Sequence, residues 1–204
     1  MHPIARLPLL AALLALAACG RNSADAEPPI DVPRAAATAS DFSVHDLEAR
    51  WVDQDGRERT LASLGGKARV ISMVYTSCTH TCPMIVAEMK RVEAALPAEE
   101  RGRVAFVLVS LDTARDTPAQ LAKFASAMRL DPASWTLLTG GAGGLRELAA
   151  LLGIRYRPEA DAQISHSNTY LVLDPAGRIV HRQDGIGRGT DATLARIRES
   201  AAGR

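Results

Sequence analysis

Two cysteines four positions apart carry the most chemistry in this chain. They lie in Tyr75-Thr76-Ser77-Cys78-Thr79-His80-Thr81-Cys82-Pro83. The thiolate, rather than the thiol, is the species that attacks a disulfide or binds a metal. Upstream, Val70-Ile71-Ser72-Met73-Val74-Tyr75 is a compact apolar run, as expected of a central strand buried on both faces. Downstream, Pro83 suits the first turn of a helix. The cysteines therefore fall where a strand hands over to a helix, and unpaired N–H groups and the positive end of the helix dipole there favour thiolate. If the turn is helical, a spacing of four brings both sulfurs to one side. Redox thioredoxins use C-x-x-C; the longer loop here still permits a disulfide and gives two sulfurs room to converge on one ion. Two soft thiolates joined by an imidazole suit copper, Cu(I) above all, and zinc on ligand type alone.

The third cysteine has a different setting. Arg6 precedes Leu7 to Ala18, an almost unbroken run of Leu and Ala. A bilayer span takes about 20 apolar residues, so this run reads as the apolar region of an export signal. It ends in Leu16-Ala17-Ala18-Cys19-Gly20, which resembles the bacterial lipoprotein box, where the cysteine becomes the lipidated first residue of the mature protein. Residues 1–19 are thus expected to be a signal peptide ending at a lipid-bearing Cys19. Residues 20–40, rich in Ala, Pro, Asp and Glu, read as a flexible tether, and 41–204 as one domain facing the periplasm. In that compartment thiols are readily oxidised, so the pair Cys78 and Cys82 must serve as a disulfide, a metal site, or both in turn.

Composition narrows the class. The chain has 24 basic and 23 acidic residues with no basic run, so nucleic-acid binding is set aside. Aromatics make up 4%, too few for a base-stacking platform. An apolar fraction of 47% provides for a buried core. Phe42-Ser43-Val44 and Ala49 to Val52 are expected as short strands, with a hairpin turn at Asp53-Gln54-Asp55-Gly56 before Arg59-Thr60-Leu61. Ile85, Met89, Val92 and Leu96 recur at helical spacing, and Val104 to Leu111 is a second buried strand, parallel to the first through a right-handed crossover. Leu121, Phe124 and Met128 mark a helix introduced by Asp116-Thr117-Pro118. Trp135 to Leu138 is a strand, and Leu145, Leu148 and Leu152 mark another helix. Thr169 to Leu173 and Arg178 to His181 form a hairpin around Asp174-Pro175-Ala176-Gly177, and Leu194 and Ile197 a closing helix. This order is that of an α/β thioredoxin-like fold: a central mixed sheet flanked by helices, with an N-terminal β-hairpin extension.

Three motifs resemble one family in order and spacing: Val74 to Cys78 with Cys82-Pro83, Ser110-Leu111-Asp112-Thr113-Ala114-Arg115-Asp116-Thr117-Pro118, and His166-Ser167 before Leu171 to Gly177. Together they are similar to the SCO/SenC proteins over the whole globular part. The resemblance implies copper held by Cys78, Cys82 and His166, and a role in assembling the dinuclear copper centre of cytochrome c oxidase. Partners would be the copper-receiving oxidase subunit, other periplasmic copper carriers or thiol reductants, and a bilayer through Cys19. His166 stands near the place where ordinary thioredoxins carry a cis-proline. Asp112 matches the family's acidic position after the second central strand and is expected to support the ligands from behind; Thr113 replaces the proline usual after it. His80 is expected to face solvent, and His45 and His181 to lie at the surface. Asp53 and Asp55 are turn residues without calcium-loop spacing. The leading reading is a non-enzymatic copper chaperone. The alternative is a thiol–disulfide oxidoreductase using Cys78 and Cys82 as its dithiol. A peroxidase would need a proline-led cysteine motif that is absent.

Overall fold

A computed structural model describes residues 42–159 and 163–202; the signal, Cys19 and the tether expected over 1–40 lie outside the described residues. In chain order the elements are β1 (Trp51–Asp53), β2 (Glu58–Arg59), β3 (Ala68–Val74), α1 (Thr81–Ala95), α2 (Ala98–Arg101), β4 (Val104–Ser110) and α3 (Pro118–Ala127). There follow β5 (Trp135–Gly140), α4 (Ala142–Leu151), β6 (Tyr156–Pro158), β7 (Ile164–His166), β8 (Thr169–Leu173), β9 (Ile179–Asp184) and α5 (Asp191–Ala202).

Seven strands form one mixed sheet in the order β2-β1-β5-β4-β3-β8-β9. β3, β4 and β5 run parallel, as the right-handed crossover requires. β8 is antiparallel to β3 and β9 to β8. All seven residues of β3 and all five of β8 are buried, because helices and loops leave neither strand a wet face. The ring stack of Phe106 on Trp135, with centroids 4.7 Å apart, joins β4 to β5. Cys82, Ile85, Val86, Met89 and Val92 form the buried stripe of α1. Lys90 Nζ donates to the Met128 carbonyl at 2.8 Å, and the Trp135 indole to Glu93 at 2.9 Å, so α1 is tied to the end of α3 and to β5. Thr117 caps α3, with Pro118 as its first residue.

The expected N-terminal hairpin is β1–β2. It extends the sheet, since Trp51 pairs with Gly140 of β5. A side chain added at Gly140 would meet the Trp51 ring at 2.7 Å, so this close approach needs glycine. Two sequence expectations change. Ser43 makes one isolated bridge to Arg178, and Val44–Asp46 is a 3-10 turn rather than a strand. Ser43 Oγ accepts the His45 N–H while Asp46 accepts the Ser43 N–H, a reciprocal cap that outweighs the apolar pattern. The antiparallel ribbon β6–β7, separate from the main sheet, has no counterpart in the sequence reading. Its three-residue strands are polar and end in Pro158, too short to show a period of two. Among the described residues no helix is long and apolar enough to cross a membrane.

Candidate metal and dithiol site

The site forms where β3 ends. A turn closed by the Cys78 N–H on the Tyr75 carbonyl carries the chain out of the sheet, and α1 starts three residues later. The first N–H groups of a helix lack partners within it. One of them, on Cys82, points at Cys78 Sγ at 3.4 Å, and the Thr81 hydroxyl lies 3.5 Å from the same sulfur. Burial pushes the Cys78 thiol up, but hydrogen bonds from Thr81, the Cys82 and His80 N–H groups and the Cys82 thiol outweigh it and hold the pKa at about 6. Cys82 is fully buried, and burial together with the neighbouring Cys78 and Asp116 raises its pKa well above the ordinary thiol range. The pair is therefore one thiolate and one thiol, both free of disulfide.

His166 comes from the far end of β7. Its Nδ1 lies 3.1 Å from the Ser167 carbonyl, which only accepts, so Nδ1 carries the proton and Nε2 the lone pair. That lone pair faces Cys82 Sγ at 3.4 Å. Burial lowers the His166 pKa, offset in part by the Ser167 carbonyl, so the imidazole is poised neutral. Cys82 has one S–H, which donates to the Cys78 thiolate, and the Nε2 lone pair of the neutral imidazole lies against the same Cys82 sulfur. Tyr75 sets the ring: the two centroids are 6.0 Å apart at 80°, and the Tyr75 hydroxyl donates to Gln163 at 2.9 Å while accepting the Ile164 N–H at 3.3 Å.

Cys82 Sγ and His166 Nε2 lie close enough that the two would hold one soft metal ion between them. Among the described residues no three Cys, His, Asp or Glu side chains are already drawn around a single centre. The geometry is a pair, Cys82 with His166, and Cys78 beside it. A cleft of about 330 Å³ lined by Arg155, Tyr156 and Arg157 runs up to His166, and another of about 410 Å³ passes Cys78 between Pro83, Lys123 and Phe124.

Other expected residues fall elsewhere. Asp112 turns into its own loop, accepting the Arg115 N–H at 3.2 Å and pairing with the Arg115 guanidinium, and among the described residues it forms no hydrogen bond with Cys78, Cys82 or His166. The carboxylate that reaches the cysteine loop is Asp116, which accepts the Thr76 N–H at 3.0 Å and hydroxyls from Thr76 and Ser110 at 2.5 Å. No local signal separates the two aspartates, because the contact spans 40 residues. His80 is exposed, its Nδ1 2.9 Å from the Thr79 hydroxyl. His45 and His181 are half-buried rather than superficial. α5 packs on β9, the strand that carries His181, and among the described residues the buried Nε2 of this histidine has no hydrogen-bond partner. Asp53 accepts N–H groups from Asp55 and Arg57, as a turn residue does.

A sequence profile described as SCO1/SenC matches residues 38–202. A Stutzerimonas stutzeri protein designated a candidate copper-binding protein is 34% identical over 132 residues, 63% of this chain and 63% of that protein's own length. A SCO1/SenC family lipoprotein of Bacillus anthracis superposes with a TM-score of 0.67 at 25% identity, over 78% of this chain and 96% of that one. BsSco, described as a Sco-family cytochrome c oxidase assembly protein with a disulfide switch, gives 0.69 at 26% identity, over 81% of this chain and 97% of its own.

Proposed function

The chain belongs to the SCO1/SenC family, and from that premise we propose that it is a lipid-anchored copper chaperone that carries one copper on Cys78, Cys82 and His166 to the copper-receiving subunit of cytochrome c oxidase. The observation that carries this reading is the 3.4 Å approach of Cys82 Sγ to His166 Nε2 across 84 residues of sequence. Cys78 is already thiolate at neutral pH. Copper, the cargo, displaces the Cys82 proton and takes the imidazole lone pair that lies against the same sulfur. Soft sulfur favours Cu(I), and the imidazole adds the third donor that Cu(II) requires. The lipoprotein relative supports anchoring through Cys19, and the periplasmic placement follows from the same export signal.

The thiol asymmetry favours a second activity at the same residues. The Cys78 thiolate attacks one sulfur of a partner disulfide and releases the other as thiolate. Cys82 then loses its proton, attacks Cys78 Sγ and frees the partner's second thiolate, so two electrons pass to the partner and Cys78–Cys82 becomes the disulfide. Oxidation removes both sulfur ligands, which couples redox state to metal holding.

Titration of the reduced domain against a copper chelator is expected to give one copper per chain, with far weaker binding by the oxidised form. His166→Ala should weaken Cu(II) binding by about 10-fold or more and Cu(I) binding less, leaving disulfide exchange intact. Equal affinity in both redox states would place the metal elsewhere. Full oxidase assembly with His166→Ala but not with Cys78→Ser would make the protein a reductant.

A further inference from the structure

Behind the cysteine loop lies a carboxylate with no cation. Asp116 is 2% exposed, and among the described residues no lysine, arginine or histidine forms an ion pair with it. A buried charge without a counter-charge is costly unless hydrogen bonds satisfy it. Here three donors do so, and all three belong to the strand ends that carry the site. Thr76 gives its N–H and its hydroxyl, two residues before Cys78. Ser110 gives its hydroxyl from the last position of β4, opposite Val74 of β3. The Ser110 oxygen also accepts the Asp112 N–H at 2.9 Å, and the Leu111 N–H reaches the Val74 carbonyl at 2.8 Å. The loop after β4 and the loop after β3 therefore form one hydrogen-bonded body, with the Asp116 carboxylate at its centre.

We propose that Asp116 is a positioning residue for the metal site: it holds Thr76, and through Thr76 the turn that aims Cys78 toward Cys82 and His166. The two sulfurs and the imidazole arrive from different elements. Cys82 is fixed by α1, where it is fully buried, and His166 by the ribbon, where it is half-buried. Cys78 lies outside any regular element, and its aim depends on the turn closed at Tyr75. The Thr76 N–H and hydroxyl both face the carboxylate, so rotating that turn breaks two bonds to Asp116 at once. Cu(I), held by soft sulfur, tolerates a shifted donor better than Cu(II), whose tetragonal preference restricts where each donor sits.

The functional readout rests on the copper reading, and the structural one does not. Asp116→Ala is expected to weaken Cu(II) binding by roughly 10- to 100-fold, as removal of a supporting group typically does, with Cu(I) affinity changed less than about threefold. Asp116→Asn keeps one oxygen to accept the Thr76 N–H and the Ser110 hydroxyl, and offers an N–H to the rotated Thr76 hydroxyl, so it should restore Cu(II) affinity to within about threefold of wild type. Amide exchange at Thr76 should speed up about 10-fold in the alanine variant, while Val107 in the core keeps its protection. If Asp116→Ala does not fold, Thr76→Val removes one bond of the same set and should shift Cu(II) affinity in the same direction. Wild-type Cu(II) affinity in a folded Asp116→Ala protein overturns the proposal. So does an Asp116→Asn variant as weak as alanine, since charge rather than placement would then be at work. A wild-type protein that binds no copper overturns the chaperone, whereas Thr76 exchange still decides whether Asp116 holds the turn.

Discussion

At the scale of single residues, the site depends on two thiols of one type behaving differently. Cys78 meets the helix N–H groups and a hydroxyl; Cys82 meets an apolar interior and the lone pair of His166. With a pKa of about 6, Cys78 is some nine-tenths thiolate at pH 7, against a few per cent for an ordinary thiol near 8.5. Its pKa is lowered, so reactivity should be full at neutral pH and fall as pH drops through about 6. Cys82 is shifted upward, so it should resist alkylation until the solution is strongly alkaline. Iodoacetamide trapping of the reduced domain from pH 4 to 10, read by peptide mass, checks both. A Cys78 profile centred between pH 8 and 9 would contradict the hydrogen-bonded thiolate. The identity of these residues was legible from spacing, but their inequality was not. It follows from which sulfur the helix N-terminus faces and which one the core encloses.

At the scale of elements, the ribbon β6–β7 holds the imidazole, yet no strand of the main sheet pairs with it. Tyr75, the residue that ends the β3 run, connects the two by bonding Gln163 and Ile164 and by setting its ring edge-on to His166. Tyr75→Phe removes that hydroxyl and leaves the buried Ile164 N–H without its acceptor, a loss of about 1–3 kcal/mol. The expected outcome is faster amide exchange at Ile164 with Val172 in β8 unchanged, and a Cu(II) affinity reduced more than that for Cu(I). Unaltered protection of Ile164 would show that the ribbon is held by other contacts. The helices were legible because their apolar repeat extends over ten or more residues, as in the α1 stripe from Cys82 to Val92, and the central strands because each is a compact apolar run. The ribbon was not, since three residues per strand carry no repeat and its stability comes from across the fold.

At the scale of the whole molecule, the chain combines a SCO1/SenC domain, proposed to carry copper, with an N-terminal segment proposed to keep it at a membrane. One acyl chain alone partitions with only about 10⁴ M⁻¹, so stable attachment at Cys19 requires two or more chains. Cys19→Ser is expected to leave the protein unprocessed or to release it from washed membranes; retention at the usual mature mass would refute lipidation there. The sequence by itself determined the main helices, the central strands and with them the thioredoxin-like fold, and it singled out Cys78, Cys82 and His166 as the proposed copper ligands. These are carried by near neighbours: alternation, helical repeats, and motifs a few residues long. Only the tertiary structure decided that Asp116 rather than Asp112 hydrogen-bonds to the cysteine loop, that Tyr75 supports the imidazole, and that His181 is half-buried. Each of these depends on residues distant in the chain, such as Tyr75 with Gln163 across 88 positions. Such contacts arise from the packing of one element on another, which leaves no local pattern in the chain.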